Sequence, residues 1–342
     1  MAVRFSALVP PCCKSGVAVA FCPAESKVFK NNMIGILLVN MGGANSPNEL
    51  KVFLSRMFKD PFILPFSSLG RNLLSFIISN TRYKKSWKKY ELIGGSPIIE
   101  ATEKTAMKLQ KTLGDNFAVK IAFSYSEPFI SESITDLKNH GVDDIIIIPL
   151  YPQASISTTN SVAEDVKNAF AGKKDVKFKF VKEFYNYELY LSFWANLILD
   201  HIEKNNYSNP LLLFSAHSIP MFLVKKGDTY PEAIESSARL IAEKTGFNYE
   251  VAYQSGMSGK WIGPDTKDRL KILSDSKIDN IIIIPISFVN ENLETLYDID
   301  HDIIPYGKNK LGIKNISRIL IPVANNDFIN LLTEIVKLNT SK

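Results

Sequence analysis

The sequence predicts an α/β protein built from two similar halves, each a parallel sheet flanked by helices. Three observations carry this. Short apolar runs alternate with helical patterns along most of the chain, as parallel sheets require. Several of those runs are apolar on both faces (Ile34–Asn40, Asp144–Leu150 and the isoleucines from Ile281), which suits strands covered by helices on either side. The stretch Val142–Ser155 (VDDIIIIPLYPQAS) also repeats as Ile278–Glu291 (IDNIIIIPISFVNE). Each copy is preceded by a helix and, before that, by a strand ending in an aromatic, so duplication explains the match better than chance.

In order, the strand Ile34–Asn40 ends in Met41, Gly42 and Gly43, and Ser46-Pro47 opens a helix. Phe62–Ile78 is an apolar, partly helical segment, followed by a basic helix at Arg82–Tyr90 and the turn Gly94-Gly95-Ser96-Pro97. Helices are expected at Glu100–Leu113 and Ile130–His140, with strands at Ala118–Tyr125 and Asp144–Leu150. The second half brings strands at Val176–Val181, Leu211–Ser215 and Tyr249–Gln254, and helices at Leu189–Lys204, Tyr230–Thr245 and Thr266–Ser274. The domain expectation is an extension at 1–32, a first α/β domain at 33–185 and a second at 186–342. In such sheets ligands bind beyond the carboxyl ends of the strands. Those ends carry Met41, Tyr125, Tyr151, His217, Gln254 and Asn290.

With 342 residues and 46% hydrophobic residues, the chain has ample core material. A net charge of +5 without a polybasic block does not suggest nucleic acid, and it allows weak attraction to an anionic surface. The 3 cysteines, Cys12, Cys13 and Cys22, draw no disulfide framework and point to an intracellular body. Residues 1–32 have no acid before Glu25 and carry Arg4 and Lys14. This is the look of an organelle transit peptide, which would place the body in the mitochondrial matrix; a tail without fixed structure, on a cytoplasmic protein, is the other reading. No apolar run reaches the roughly 18–20 residues of a membrane span.

The chemistry-bearing stretch is Asn290–Asp302 (NENLETLYDIDHD). On an α-helix Glu294, Asp298 and Asp302 share one face with Glu291 and His301, while Leu296, Ile299 and Ile303 point away. Stacked like charges cost helix stability, so the face is either solvated or used to hold a cation. His217 alone among 4 histidines follows an all-apolar strand at a carboxyl end. Imidazole titrates near neutrality, so a histidine there suits a ligand or proton acceptor. With Glu294 it makes a His/carboxylate site for a transient Fe²⁺ or Zn²⁺, with too few ligands for a closed structural site. Gly42-Gly43 lacks the rest of a phosphate loop. Arg82, Lys84 and Lys85 suit carboxylates or a solvated face, and Trp261 suits a packed lid or a stacking platform.

Six fragments, LVNMGG, YELIGGSPI, IIIIPLYPQASISTTNS, LFSAHSIP, YQSGMSGKWIGPDT and PISFVNENLETLYDID, resemble in order those of the ferrochelatase family, from about residue 33 to about 330. The resemblance implies two Rossmann-like domains with a porphyrin cleft between them, and insertion of Fe²⁺ into protoporphyrin IX to give protohaem with release of two protons. It implies no organic cofactor. By position, His217 resembles the cleft histidine of metal binding and pyrrole proton abstraction, and Glu294 its acidic partner. Asp298 and Asp302 resemble the ladder that brings metal in or takes protons out. Met41 resembles the residue facing the opposite side of the macrocycle. Arg82, Tyr90 and Ser96 resemble propionate anchors, and Tyr125 and Trp261 wall and stacking positions. Phe62–Ile78 resembles an apolar lip, which implies peripheral membrane contact.

Three positions depart from the pattern. Gly256 stands where a basic residue is usual, Asn292 where a histidine is usual, and Ser124 where an arginine often precedes the tyrosine. The alternative they motivate is a porphyrin- or haem-binding protein with reduced or lost chelation. A chelatase for another metal or tetrapyrrole is a further alternative, which the anchor match at Arg82, Tyr90 and Ser96 argues against. The family's cluster-ligating cysteines are absent, with Ile156 at the internal position, so no iron–sulfur cluster is expected. The short C-terminus implies a monomer.

Overall fold

The computed structural model describes residues 33–171, 177–256 and 260–340. The N-terminal extension with its three cysteines lies outside them, as does Val176 at the start of an expected strand. From Asn32 on, the chain forms one compact unit holding two four-stranded sheets.

The first sheet comprises β1 (Ile34–Asn40), β2 (Phe117–Phe123), β3 (Asp144–Pro149) and β4 (Lys177–Phe180), in the order β2-β1-β3-β4. The second comprises β5 (Leu211–His217), β6 (Tyr249–Gln254), β7 (Asn280–Ile284) and β8 (Asn315–Arg318), in the order β6-β5-β7-β8. Every pairing is parallel. The two orders coincide when β1 is matched to β5, which puts the two copies of the sequence repeat at β3 and β7. Each of those strands is followed by a π-helix, π1 (Ile156–Asn160) and π2 (Glu294–Ile303). The α/β expectation is therefore met.

Continuous apolar strands need cover on both faces, and both sheets have it. One core runs through both sheets, joining Ile36, Leu38, Ile146 and Ile148 to Leu212, Phe214, Ile282 and Ile284. It is filled by α6 (Glu188–Asn205) and α10 (Asn326–Thr340), with Tyr190 and Trp194 fully buried. The other face of the first sheet packs on α4 (Ile130–Asn139) and α5 (Ser161–Phe170). That of the second packs on α9 (Thr266–Asp275) and π2. α10 also packs on α3 (Ile98–Leu113), so the last helix ties back to the first half.

Three expectations are corrected. The helical part of the apolar segment, from Ser68, and the basic helix are one 25-residue helix, α2 (Ser68–Leu92), because no proline or glycine interrupts it after Gly70. Strand β2 stops at Phe123, leaving Tyr125 in the turn beyond it. The acidic stretch is a π-helix, so its residues do not share one α-helical face. Expectations stop at Asp302, and β8 and α10 are additions. The first turn of α1 (Pro47–Met57) is as expected, with the Glu49 amide donating to Ser46 Oγ at 3.2 Å.

Candidate active site

The site is assembled where β5, β6 and π2 meet. Strand β5 runs through four apolar residues and the small Ser215 and Ala216 to His217, whose amide donates to Ser287 Oγ at 3.1 Å. The His217 ring meets Glu294 from π2, Nδ1 to Oε2 at 2.8 Å. Gln254, at the end of β6, donates Nε2 to the same carboxylate oxygen at 3.3 Å. The next residue, Ser255, takes a left-handed φ of 60°, and its hydroxyl donates to Asp298 Oδ2 at 2.8 Å.

Burial disfavours charge on both members of the central pair, and their mutual attraction overcomes it. For His217 burial pulls the imidazole pKa down, but the charge and hydrogen bond of Glu294, with Asp298 beyond it, hold the net value above the ordinary one. For Glu294 burial pushes up, while His217, Gln254 and Ser255 bring the carboxyl below its usual range. The imidazole edge stays 40% exposed, so the pair faces outward rather than into the core. With Nδ1 engaged by the carboxylate, Nε2 is the nitrogen available to a substrate. Among the described residues no three His, Cys, Asp or Glu side chains converge on a metal-binding point.

Two further carboxylates of π2, Asp298 and Asp302, are each matched by a lysine. Lys89 of α2 meets Asp298 Oδ1 at 3.0 Å and lies 4.5 Å from the centre of the Tyr297 ring, joining the first half to the second. Lys267 meets Asp302 at 2.6 Å. Glu291 and His301 do not join this row. His301 is exposed and stacks on Tyr297. Glu291 accepts two bonds from Arg318 Nη1, at 2.8 and 3.0 Å. Arg318 is 1% exposed and also binds Asp300 through Nε at 2.9 Å and Nη2 at 2.6 Å. It thereby holds π2 to β8 at both ends of the acidic stretch.

Met41, Tyr90 and Tyr125 gather in one cluster with Phe53 and Trp87, and Leu293 packs onto it from beside Glu294. The Tyr90 phenol is pushed up to about 12 by burial and by the charges of Glu294 and Asp298, so it stays a donor. Tyr125 donates to Asp60 Oδ2 at 2.6 Å, and burial beside that carboxylate raises its pKa. Ser96 is buried behind Gly43, where an added Cβ would sit 2.0 Å from its Oγ. That close approach, rather than phosphate binding, is what the Gly42-Gly43 turn serves. Arg82 is exposed on α2. Trp261 is half-buried and pairs as a β-bridge with Pro220; residues 257–259 before it lie outside the described residues.

Two of the departures have local structural roles. Asn292 Oδ1 accepts from the Glu294 amide at 2.8 Å and the Thr295 amide at 3.2 Å. Ser124 hydrogen-bonds Tyr151. Gly256 is exposed, and a side chain there would meet Ser218 and Trp261 at ordinary contact distance. Sequence reasoning missed Lys89, Ser255, Ser287 and Arg318. The signal for Arg318 was a lone arginine among apolar residues in NISRILIP, which demands a buried partner.

Two parallel sheets sharing one core, with a His/carboxylate pair at the strand ends, define a protein of the chelatase fold. Solved structures similar to it include SirB from Bacillus subtilis with Fe³⁺, at a TM-score of 0.57 and 13% identity over 90% of this chain and 98% of that one. Another is the sirohydrochlorin chelatase SirB from Bacillus subtilis subspecies spizizenii in complex with cobalt, at a TM-score of 0.52 and 13% identity over 90% and 97%. At that identity they speak to the fold alone. The ferrochelatase family model matches residues 33–340. The ferrochelatase of Aquifex aeolicus is 36% identical over 310 residues, 89% of this chain and 98% of the relative. That of Rickettsia felis is 33% identical over 323 residues, 88% and 93%. The chain belongs to the ferrochelatase family, the metal chelatases that insert Fe²⁺ into a porphyrin in haem synthesis.

Proposed function

We propose that this chain inserts Fe²⁺ into protoporphyrin IX with His217 and Glu294 as its central pair. The observation that carries the assignment is the 2.8 Å contact between His217 Nδ1 and Glu294 Oε2 at the end of β5, with Nε2 left for the substrate. Metal entry requires the pyrrole N–H protons to leave the macrocycle. His217 Nε2 accepts one, the imidazolium that forms is stabilised by Glu294, and the proton passes to solvent before the next is taken. The same pair offers the incoming iron two donors, too few to retain it, which suits a metal that must be handed on.

Asp298 and Asp302 then serve as the proton exit. Lys89 and Lys267 beside them oppose a second divalent cation on that path. Met41 faces the opposite side of the ring, with Tyr125 and Trp261 as walls. Arg82, Tyr90 and Ser96 anchor the propionates, Tyr90 as a phenol kept protonated by its surroundings. Binding energy from these remote contacts is available to distort the flat ring and turn its nitrogen lone pairs toward the metal. The reaction needs no organic cofactor and no iron–sulfur cluster.

The preference for protoporphyrin over the more carboxylated coproporphyrin rests on α2. Leu69, Leu73, Phe76 and Ile77 are exposed along one side of it, and Phe66 precedes them. Among the described residues no helix is long and apolar enough to cross a membrane, so this face suits peripheral contact and an apolar substrate drawn from the bilayer. The test is metal insertion with protoporphyrin IX and coproporphyrin III in parallel. A higher kcat/KM for protoporphyrin supports the assignment; preference for coproporphyrin overturns it.

A further inference from the structure

Asn292 stands two residues ahead of Glu294, and the structure gives it a function of its own. Asn292 is buried and stands one residue ahead of the helical turn that begins at Leu293. The N-terminus of a π-helix leaves its first amides without partners inside the helix. Asn292 Oδ1 takes two of them, from Glu294 at 2.8 Å and Thr295 at 3.2 Å. In return the Asn292 amide donates to Thr295 Oγ1 at 2.9 Å. These reciprocal bonds make a capping box with threonine in the place usually held by Glu or Gln. The box is pinned from behind, because Thr295 Oγ1 donates to Glu291, whose carboxylate is held by Arg318.

We propose that Asn292 is a positioning residue for metal insertion: through the Asn292–Thr295 capping box it fixes the backbone of Glu294 and so aims that carboxylate at His217 Nδ1. The proposal rests on the His217–Glu294 reading of the site. Asparagine is among the strongest capping residues and has no titratable group. At this position the chain therefore has a neutral brace for the carboxylate. Residue 294 is also the second position of the capped helix, where exposed amides favour a negative charge.

The test is steady-state metal insertion by the full chain carrying N292A, N292S or T295V, beside E294Q and H217A, with Zn²⁺ and protoporphyrin as probes. Because Asn292 acts only through Glu294, N292A is bounded by the loss in E294Q, about tenfold in kcat. Its porphyrin KM stays within about twofold of wild type, as expected when only transition-state stabilisation is lost. N292S keeps a capping oxygen without adding charge and recovers most of the rate, whereas T295V breaks the reciprocal half and falls between. In ¹⁵N-histidine NMR the His217 Nδ1 resonance moves toward its E294Q position in N292A and returns in N292S. A purely structural cap would lower the melting temperature of N292A while leaving kcat and that resonance unchanged, and that result overturns the proposal. So does equal impairment of N292A and N292S. If E294Q and H217A themselves turn over at the wild-type rate, the site reading fails instead.

Discussion

Replacing Glu294 by Gln removes one charge and leaves the shape of the site nearly intact. The lost interaction is a charge-assisted hydrogen bond of 2.8 Å between His217 and Glu294. Such bonds are worth roughly 1.5–3 kcal/mol net. The imidazole is 40% exposed and the carboxylate 22%, so solvent screens the pair and the lower end applies, about 1.5 kcal/mol. The interaction matters most when the imidazole has taken a pyrrole proton, so the loss falls on kcat and amounts to about tenfold at 1.36 kcal/mol per decade. The direction with pH follows from the same pair. Glu294 holds the His217 pKa above its ordinary value, and the base acts when neutral. Without the carboxylate that pKa falls, so the acid limb of kcat/KM moves to lower pH while the plateau drops. Fluorescence of zinc-porphyrin formation across pH reads both changes. An E294Q enzyme with kcat within twofold of wild type, or an acid limb displaced upward, refutes the reasoning.

Removing the base itself costs more: H217A lowers kcat by about 10²–10⁴-fold, with porphyrin binding by fluorescence quenching retained. Arg318→Met leaves Glu291 and Asp300 without their buried cation; breaking such a set costs about 3–5 kcal/mol, read by chemical denaturation, with kcat falling as π2 loosens. Replacing Lys89 by Met removes a pair 41% and 21% exposed, so stability changes by less than about 1 kcal/mol. Its kinetic signature is inhibition by excess metal at lower concentration than in wild type, since the lysine opposing a second cation at Asp298 is gone. Leu73→Glu with Phe76→Glu abolishes co-sedimentation with phospholipid vesicles and leaves insertion into detergent-dispersed porphyrin unchanged.

The fold was legible because its signals are local. Runs such as Ile281–Ile284 admit only a doubly covered strand, and the repeat at Pro149 and Pro285 already announced two sheets of one design. His217 was legible for the same reason: it is the first polar side chain with a titratable proton after four apolar residues and two small ones. What escaped depends on pairings far apart in the chain. Lys89 looked like part of a solvated basic face until α2 was seen to reach π2, more than two hundred residues away. Glu291 was placed on the acidic face because the helix was taken to run from Asn290, whereas it begins at Leu293 and leaves Glu291 ahead of it. Asn292 and Thr295, three residues apart, read as ordinary polar residues until their bonds identified them as a cap. The burial of Tyr90 and Ser96 was not legible either, since it comes from packing of Tyr90 against Phe53 and Tyr125 and of Ser96 against Gly43, both distant in sequence.

One anaerobic measurement decides whether His217 drives insertion: the full chain with protoporphyrin IX and Fe²⁺, followed by the visible spectrum of the porphyrin, in wild type and H217A. Conversion to the haem spectrum in wild type, with H217A binding porphyrin but leaving it metal-free, is the predicted result. Porphyrin bound by the wild type without insertion of Fe²⁺ or Zn²⁺, or undiminished insertion by H217A, would contradict it.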